Sequence, residues 1–173
     1  MPHQGLDILI TEEKIKKRVK ELGEMISSDY SGREIVVIGI LKGAWIFMAD
    51  IVREMSMPVS CDFLGVSSYY DSTVSSEEVK LISDIRVPVG GRDVLLIDDI
   101  IDTGFSIKFI KEYLQSKGPS SIKLCVLLDK PSRRKVDITV DYRGFTIPDR
   151  FVVGYGLDCG EKYRNLPYIA ALQ

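Results

Sequence analysis

The segment Val94-Leu-Leu-Ile-Asp-Asp-Ile-Ile-Asp-Thr-Gly104 decides the fold of this 173-residue chain. The apolar run Asp93–Ile97 lacks polar alternation, which is typical of a strand covered on both faces. Three carboxylates follow within five residues, and a helical pattern over 106–117 begins after Thr103-Gly104. A buried strand that passes directly into a helix predicts one unit of a parallel α/β sheet.

The flanking sequence repeats this alternation of strand and helix patterns. Ile35–Ile40 is a second β-branched run, and an apolar stripe with helical spacing starts after Thr11. The remaining predicted elements are a helix over 44–55 and strands over 59–68, 81–87, 122–128 and 151–154, the last as a further central strand. We therefore predict an α/β fold with a mainly parallel central sheet flanked by helices.

Composition narrows the class of protein. The chain is long enough for one domain with its own core but too short for two full-sized ones. The net charge of −2 and pI near 5.5 disfavour a general nucleic-acid coat protein. No apolar stretch approaches the length of a membrane span, and residues 1–5 lack a signal-peptide pattern, so we expect a cytoplasmic protein with no membrane or nucleic-acid partner.

Residue types also limit the chemistry. His3 is the only histidine, which nearly excludes a catalytic triad or a histidine-based zinc site. The three cysteines are scattered and read as reduced thiols, with Cys61 and Cys125 expected in the core. The chemistry must therefore come from carboxylates, cations, hydroxyls and backbone groups.

The Thr103-Gly104 turn has the features of a phosphate site. Backbone N–H groups at a helix N-terminus and the helix dipole favour an anion there. Thr103 and Ser106 add hydroxyl donors, and Gly104 allows a close approach of the backbone. Competing nucleotide motifs, the GxxxxGK[ST] loop and the GxGxxG fingerprint, do not occur in the sequence.

The neighbouring carboxylates need a different partner. Asp98, Asp99 and Asp102 would repel a bare phosphate by several kcal/mol at short range. The vicinal hydroxyls of a ribose and a divalent cation both suit such a group of acceptors. The residues therefore predict a sugar phosphate site with magnesium; the alternative is that two of the acids only cap the helix.

The motif Asp98-Asp-Ile-Ile-Asp-Thr-Gly104 resembles the phosphoribosyl diphosphate motif of type I phosphoribosyltransferases. It is most similar to the 6-oxopurine branch, which uses hypoxanthine or both hypoxanthine and guanine. Four further segments and one arginine resemble that branch and occur in the same order along the chain. Leu41-Lys42-Gly43 resembles its diphosphate loop, Ser68-Tyr69 its flexible loop, and Leu128-Asp129-Lys130 the strand end that carries its purine-binding lysine. Residues 151–158 resemble its hood segment, and Arg164 lies where that branch has a diphosphate-binding arginine.

The resemblance implies an activity and roles for individual residues. The activity is magnesium-dependent transfer of a 5-phosphoribosyl group from phosphoribosyl diphosphate to N9 of hypoxanthine or guanine, giving IMP or GMP and diphosphate. Asp102 is implied as the general base or acid facing purine N7. The implied sugar-phosphate and diphosphate ligands are Lys42, Gly43, Asp98, Asp99, Thr103, Gly104, Phe105, Ser106 and Arg164. The implied purine ligands are Lys130, Phe151, Val152 and Asp158, and the implied magnesium ligands are Asp98, Asp99 and Asp158.

The resemblance also implies an organisation for the whole chain. Residues 1–173 would form one domain with a core over about 30–150 and a small hood built from the N-terminal segment and about 150–173. A loop over 68–78 would close on the substrates, the Leu41–Lys42 peptide bond would be cis, and the chain would form a homodimer or homotetramer. Arg133-Arg134-Lys135 reads as a solvated face.

Some residues depart from the family pattern. Phe105 stands where relatives often carry a small or polar residue, Ser106 replaces a threonine, and Asp98 replaces a glutamate found in some relatives. Two other functions stay open at this point. One is a phosphoribosyltransferase-like regulator that binds nucleotide and RNA, although such proteins lack an acid at the position of Asp102. The other is a receiver-like domain that is phosphorylated on an aspartate at a strand end.

Overall fold

A computed structural model of the chain describes residues 5–70 and 77–172, apart from the side chains of 68–70, 77 and 78. The strands are β1 Leu6–Ile10, β2 Ile35–Leu41, β3 Val59–Tyr70, β4 Glu77–Ser83, β5 Asp93–Ile101, β6 Ser121–Asp129, β7 Tyr142–Thr146, β8 Val152–Val153 and β9 Ile169–Leu172. The helices are α1 Glu12–Asp29, α2 Trp45–Arg53 and α3 Phe105–Gln115, with a 3₁₀ turn at Pro131–Arg133. None of these helices has the length and apolarity needed to span a bilayer.

Six strands form the central sheet in the order β4-β3-β2-β5-β6-β7. All neighbouring pairs are parallel except β3 with β4, which are antiparallel at one edge. The predicted fold class, an α/β protein with a mainly parallel sheet flanked by helices, is confirmed. The order places β5 in the interior of the sheet, as its uninterrupted apolar run predicts.

Alternate residues of β5 support two separate cores. Leu95 and Ile97 belong to the cluster that includes α1 and α2, whereas Val94 and Leu96 belong to the cluster that includes α3. All four side chains are fully buried. This two-sided burial follows from the period of two along a strand and explains why the segment shows no polar alternation.

Strand β5 continues further than its apolar run predicts. Its pairing with β2 ends at Gly39 opposite Ile97, but its pairing with β6 continues to Ile101 opposite Asp129. Asp98 and Asp99 are therefore strand residues with a parallel neighbour on one side only. Because β2 and β5 diverge here, a crevice opens at the carboxyl ends of the strands, where ligands bind in open α/β sheets.

Some predicted elements differ from the structure. The 151–154 segment is not a central strand: β8 pairs with β9 in a separate three-stranded antiparallel sheet of order β1-β9-β8. Strand β7, at the edge of the central sheet, is missing from the prediction. Cys125 is buried as expected, but Cys61 is exposed.

The hairpin of β3 and β4 extends further toward its tip than predicted, and β4 ends at Ser83, so the predicted strand residues 84–87 are not in a strand. Tyr70 pairs with Glu77 across it, so the backbone of 68–70 and of 77–78 belongs to strands rather than to a loop. Residues 71–76 of the expected closing loop lie outside the described residues. The side chains of Ser68 and Tyr69 lie outside them as well.

Asp62 anchors the β4–β5 connection to β3. Its carboxylate accepts backbone N–H bonds from Phe63, Arg86 and Val87. Burial alone would raise the pKa of Asp62, but these hydrogen bonds outweigh burial and the pKa is lowered. A carboxyl group with a lowered folded-state pKa contributes stability above its unfolded pKa, and this contribution is lost as the pH falls through the folded value.

We expect Asp62→Asn to reduce the free energy of unfolding by about 1–3 kcal/mol at neutral pH, because a single uncharged amide oxygen would replace the two carboxylate oxygens that accept from the three donors. The difference from wild type should shrink toward about pH 3. Urea denaturation at both pH values measures it. Asp7→Asn, which removes only the exposed pair with Arg150, is the control and should cost under about 1 kcal/mol. An equal loss in both variants would contradict this role of Asp62.

Candidate active site

Residues 98–102, which we term the acidic elbow, lie at the crevice end of β5. The Asp98 carboxylate accepts the Asp99 N–H at 3.0 Å, and the Asp99 carboxylate accepts the Ile100 N–H at 2.8 Å. Burial raises the pKa of Asp98 well above its usual range, and the adjacent Asp99 raises it further. Burial also raises the pKa of Asp99, although hydrogen bonds with Asp98 and with backbone amides, and to a smaller extent the charge of Arg164, oppose this. Two crowded carboxylates of this kind are better satisfied by a divalent cation or by hydroxyl donors.

The N-terminus of α3 follows the acidic elbow. Gly104 is its N-cap with φ +91°, and within the described part of the chain this N-cap has no side-chain capping hydrogen bond. The alternative in which two of the acids only cap the helix is therefore wrong, because Asp98 and Asp99 accept from neighbouring strand amides instead. The positive φ explains the glycine, and the uncapped end suits an anion.

The loop between β2 and α2 contacts the acidic elbow directly. Its Leu41–Lys42 peptide bond is cis, as the resemblance implied. Gly43 lies so close to Asp99 that a Cβ atom on Gly43 would fall 1.8 Å from Oδ2 of that carboxylate. On the opposite side, a Cβ on Gly156 would fall 2.2 Å from the Gly43 carbonyl oxygen. Only glycine fits at position 43 without moving the carboxylate.

We expect Gly43→Ala to displace the Asp99 carboxylate and to destabilise the fold by about 1–3 kcal/mol, the usual cost of overpacking. Thermal unfolding measures the loss. Gly90→Ala is the matched control, because a Cβ there meets only the Lys117 carbonyl oxygen at 3.6 Å. A Gly43→Ala variant as stable as Gly90→Ala would contradict the close packing described here.

Glu161, which the sequence did not single out, contacts three predicted diphosphate and metal ligands. Glu161 pairs with Lys42 at 2.9 Å and with Arg164 at 3.3 Å, and Arg164 pairs with Asp158 at 2.9 Å. Arg164 also donates to the Gly156 carbonyl at 2.7 Å, while its buried Nε has no hydrogen-bond partner among the described residues. The two cations therefore converge beside Gly43, and the unpartnered N–H is suited to an anionic ligand.

A cavity of about 250 Å³ collects most of the remaining predicted residues. Phe151 lies at its exposed edge, with 57% of its surface accessible, whereas Lys130 and Val152 are buried. The lining residues are Asp99, Ile100, Asp102, Lys130, Phe151, Val152, Leu157 and Asp158. The structure thus brings together a carboxylate, a buried ammonium group and an aromatic ring in a space suited to a planar heterocycle.

Ion pairs connect this cavity to Asp149 and Arg133, neither of which the sequence indicated as a site residue. Asp149 lies 3.9 Å from the Lys130 ammonium and 3.6 Å from Arg133, and Arg133 pairs with Asp102 at 3.1 Å. The interpretation of 133–135 as a solvated face is wrong for Arg134, which is partly buried and donates to the Asp102 carbonyl, whereas Arg133 is exposed as expected but also pairs with the Asp102 carboxylate. Their position directly after a strand end that carries Lys130 was the available signal.

The predicted magnesium ligands belong to two ions, with Asp98 and Asp99 expected at one and Asp158 at a second. In residues 5–70 and 77–172, no group of three acidic, histidine or cysteine side chains converges as a metal cage. Asp98 and Asp99 are adjacent, but Asp158 is engaged by Arg164 and by the Glu161 N–H. A Mg²⁺ ion typically takes one or two carboxylates together with substrate oxygens, so the Asp98–Asp99 pair fits such an ion.

Comparison with known proteins identifies relatives over nearly the whole chain. The phosphoribosyl transferase domain family matches residues 6–159. Hypoxanthine-guanine phosphoribosyltransferase of Bacillus subtilis is 51% identical over 173 residues, which cover 100% of this chain and 96% of that protein. The enzyme of the same name from Staphylococcus aureus N315 is 48% identical and is covered over 93% of its length, against 96% of this chain.

The fold agrees with a solved structure of this kind. A crystal structure of Staphylococcus aureus hypoxanthine phosphoribosyltransferase superposes with a TM-score of 0.95 at 48% identity, covering 99% of this chain and 94% of that one. The family model runs from 6 to 159, so its match includes the acidic elbow, the β2–α2 loop and the residues that line the 250 Å³ cavity. The chain belongs to the phosphoribosyl transferase family.

Proposed function

We propose that this protein is a magnesium-dependent hypoxanthine-guanine phosphoribosyltransferase of purine salvage. It would transfer a 5-phosphoribosyl group from phosphoribosyl diphosphate to N9 of hypoxanthine or guanine, giving IMP or GMP and diphosphate. The observation that carries the proposal is the junction of the acidic elbow, the uncapped α3 N-terminus and the cavity containing Lys130. The names of the relatives at about half identity over the full chain support the choice of substrates.

The sugar phosphate would bind across the elbow and α3. The amides and hydroxyls of 103–106, including Phe105 through its backbone, would hold the 5-phosphate at the positive end of the helix. Asp98 and Asp99 would hold the ribose hydroxyls directly or through Mg²⁺, with Asp158 as a candidate ligand for a second ion. When bound, the metal would offset charge on the diphosphate oxygens.

The diphosphate would lie beside the β2–α2 loop. Lys42, Arg164 and the Gly43 backbone would meet the negative charge that develops on the leaving oxygen as the C1′–O bond breaks. Glu161 holds both cations in the structure, so diphosphate binding would replace a carboxylate partner by a phosphate one. This exchange keeps the two cations paired before and after the substrate enters.

The purine would occupy the 250 Å³ cavity. Phe151 would stack on the ring, Val152 would contact it through its backbone, and Lys130 would donate to the 6-oxo oxygen. As N9 bonds to C1′, the proton on N7 would pass to Asp102. The C1′–O electrons would leave with diphosphate, and charge and atoms therefore balance.

The small β1-β9-β8 sheet would act as the hood over the base, and the β3–β4 hairpin that carries Ser68 and Tyr69 would close over the substrates and exclude water. We also propose a homodimer or homotetramer, because Leu41, Trp45 and Phe63 are 37–48% exposed near the β2–α2 junction. Light scattering with size-exclusion chromatography tests the assembly. The cytoplasmic location and the lack of nucleic-acid partners stay predictions.

Incubation of the protein with phosphoribosyl diphosphate, Mg²⁺ and each nucleobase tests the function. We expect nucleotide formation with hypoxanthine and guanine, little with adenine, and loss of turnover when Mg²⁺ is chelated. Parallel assays with hypoxanthine, guanine and xanthine rank the three bases as substrates. No turnover with hypoxanthine or guanine would overturn the proposal.

A further inference from the structure

Asp129, the last residue of β6, carries a buried carboxylate with two arginine partners. Only 1% of the surface of Asp129 is exposed, so its negative charge must be balanced by partners inside the protein. One oxygen binds the Arg134 guanidinium and the other binds Arg143 Nε at 2.7 Å. The two arginines differ in exposure: the Arg134 side chain is 17% exposed and that of Arg143 is 50% exposed. Arg134 is therefore the inner partner.

Arg134 also reaches the acidic elbow. Its Nε donates to the backbone carbonyl oxygen of Asp102 at 3.0 Å. The next residue, Lys135, donates its backbone N–H to the Thr103 carbonyl at 3.0 Å. Arg134 Cδ lies so close to Gly104 that a Cβ there would be 3.1 Å from it. The segment 133–135 thus holds 102–104 through two backbone hydrogen bonds and one close packing contact.

The same segment begins at the base cavity. Arg133 donates its backbone N–H to the Lys130 carbonyl, and Arg134 donates its own to the Pro131 carbonyl, which forms the turn after Lys130. The Lys130 N–H is in turn bonded to the Ile101 carbonyl at 3.0 Å. A single rigid turn therefore connects Lys130 to the peptide that carries Asp102.

We propose that Arg134 is a positioning residue for Asp102. Anchored by Asp129, its planar guanidinium fixes the Asp102 carbonyl and thereby the direction of the Asp102 side chain relative to a base held at Lys130. The guanidinium suits this role because its donors lie in a fixed fork that can meet a carboxylate and a carbonyl at once, which a lysine ammonium cannot do in the same geometry. The inference rests on the proposed function, in which Asp102 exchanges a proton with purine N7.

The test compares Arg134→Lys, Arg134→Gln and Arg143→Gln by steady-state kinetics and thermal unfolding. Arg134→Lys retains a cation opposite Asp129, so we expect a melting temperature near that of wild type but a kcat lower by roughly 10–100-fold, the effect of misplacing a reacting group by about 1 Å. The KM for phosphoribosyl diphosphate should change by less than about threefold, since the sugar ligands Asp98 and Asp99 are untouched. Arg134→Gln should show the same kinetic loss together with lower stability.

Arg143→Gln is the matched control, because it removes the other partner of Asp129 without touching the elbow. It should lose stability but keep the wild-type kcat. A wild-type kcat in Arg134→Lys, or an equal fall of kcat in Arg143→Gln, would overturn the inference and leave Arg134 as a purely structural partner of Asp129. Absence of turnover in the wild-type protein would instead overturn the proposed function.

Discussion

Asp102→Asn is expected to lower kcat by roughly 10²–10⁴-fold while the KM for phosphoribosyl diphosphate changes little. The asparagine side chain nearly matches the shape of aspartate but cannot accept the proton that leaves N7 as N9 bonds to the sugar. The Arg133 pair with Asp102 would be weakened as well, since its partner oxygen would carry no charge. Initial-rate kinetics with hypoxanthine at saturating sugar substrate measure the effect.

Asp137→Asn is the control for this variant. Asp137 is an exposed carboxylate on the segment after β6 and does not line the cavity. Its replacement removes the same charge and should leave kcat unchanged. An Asp102→Asn variant with wild-type kcat would show that Asp102 has only a structural part and that the proton leaves by another route.

Lys130→Gln is expected to lower kcat/KM for hypoxanthine and guanine by roughly 10²–10⁴-fold, mainly through KM for the base. Lys130 is 6% exposed and lines the cavity, and its ammonium group lies 3.9 Å from the Asp149 carboxylate. An ammonium group only donates, so it favours a 6-oxo base and opposes a 6-amino one. A glutamine amide can donate or accept, and adenine should therefore be rejected less strongly.

Competition kinetics of hypoxanthine against adenine measure that change in selectivity. Lys135→Gln is the matched control, since Lys135 is exposed and contributes only its backbone N–H to the Thr103 carbonyl. Unchanged KM and selectivity in Lys130→Gln would mean that the base does not bind in this cavity. A loss confined to the KM for phosphoribosyl diphosphate would place Lys130 at the diphosphate instead.

Local patterns were sufficient to predict much of the fold and of the candidate site. The run from Val94 to Gly104 contains most of strand β5 and the turn that leads into α3, so its local structure could be predicted from a short segment. The cavity could be anticipated because Asp102 and Lys130 each follow a buried parallel strand, and such strand ends meet at one edge of a sheet. Family resemblance supplied the purine residues that resemble ordinary core, such as Val152.

Features that depend on distant parts of the chain were not predictable in this way. The 151–154 run has the pattern of any buried strand, and only its pairing with β9 places it outside the central sheet. Cys61 lies in an apolar run, yet its surface on β3 is exposed. Arg134 donates to Asp102, which lies 32 residues earlier in the chain, so its charge alone suggested a solvated surface. Glu161 pairs with Lys42, also far away in the chain, and nothing in the local sequence indicated this contact.

The family match also decides among the functions that the sequence left open. The 51% identity to an enzyme over the full chain favours catalysis over a receiver-like domain. The acid at position 102 lines the cavity, which a nucleotide-binding regulator of RNA would not require.

A crystal structure of the protein with Mg²⁺ and IMP tests most directly whether the acidic elbow is the phosphoribosyl site. We expect the 5-phosphate against the amides of 103–106, the ribose hydroxyls facing Asp98 and Asp99 directly or through the ion, and the 6-oxo oxygen beside Lys130. Nucleotide bound elsewhere on the protein, with no ligand contact to residues 98–106, would contradict the account.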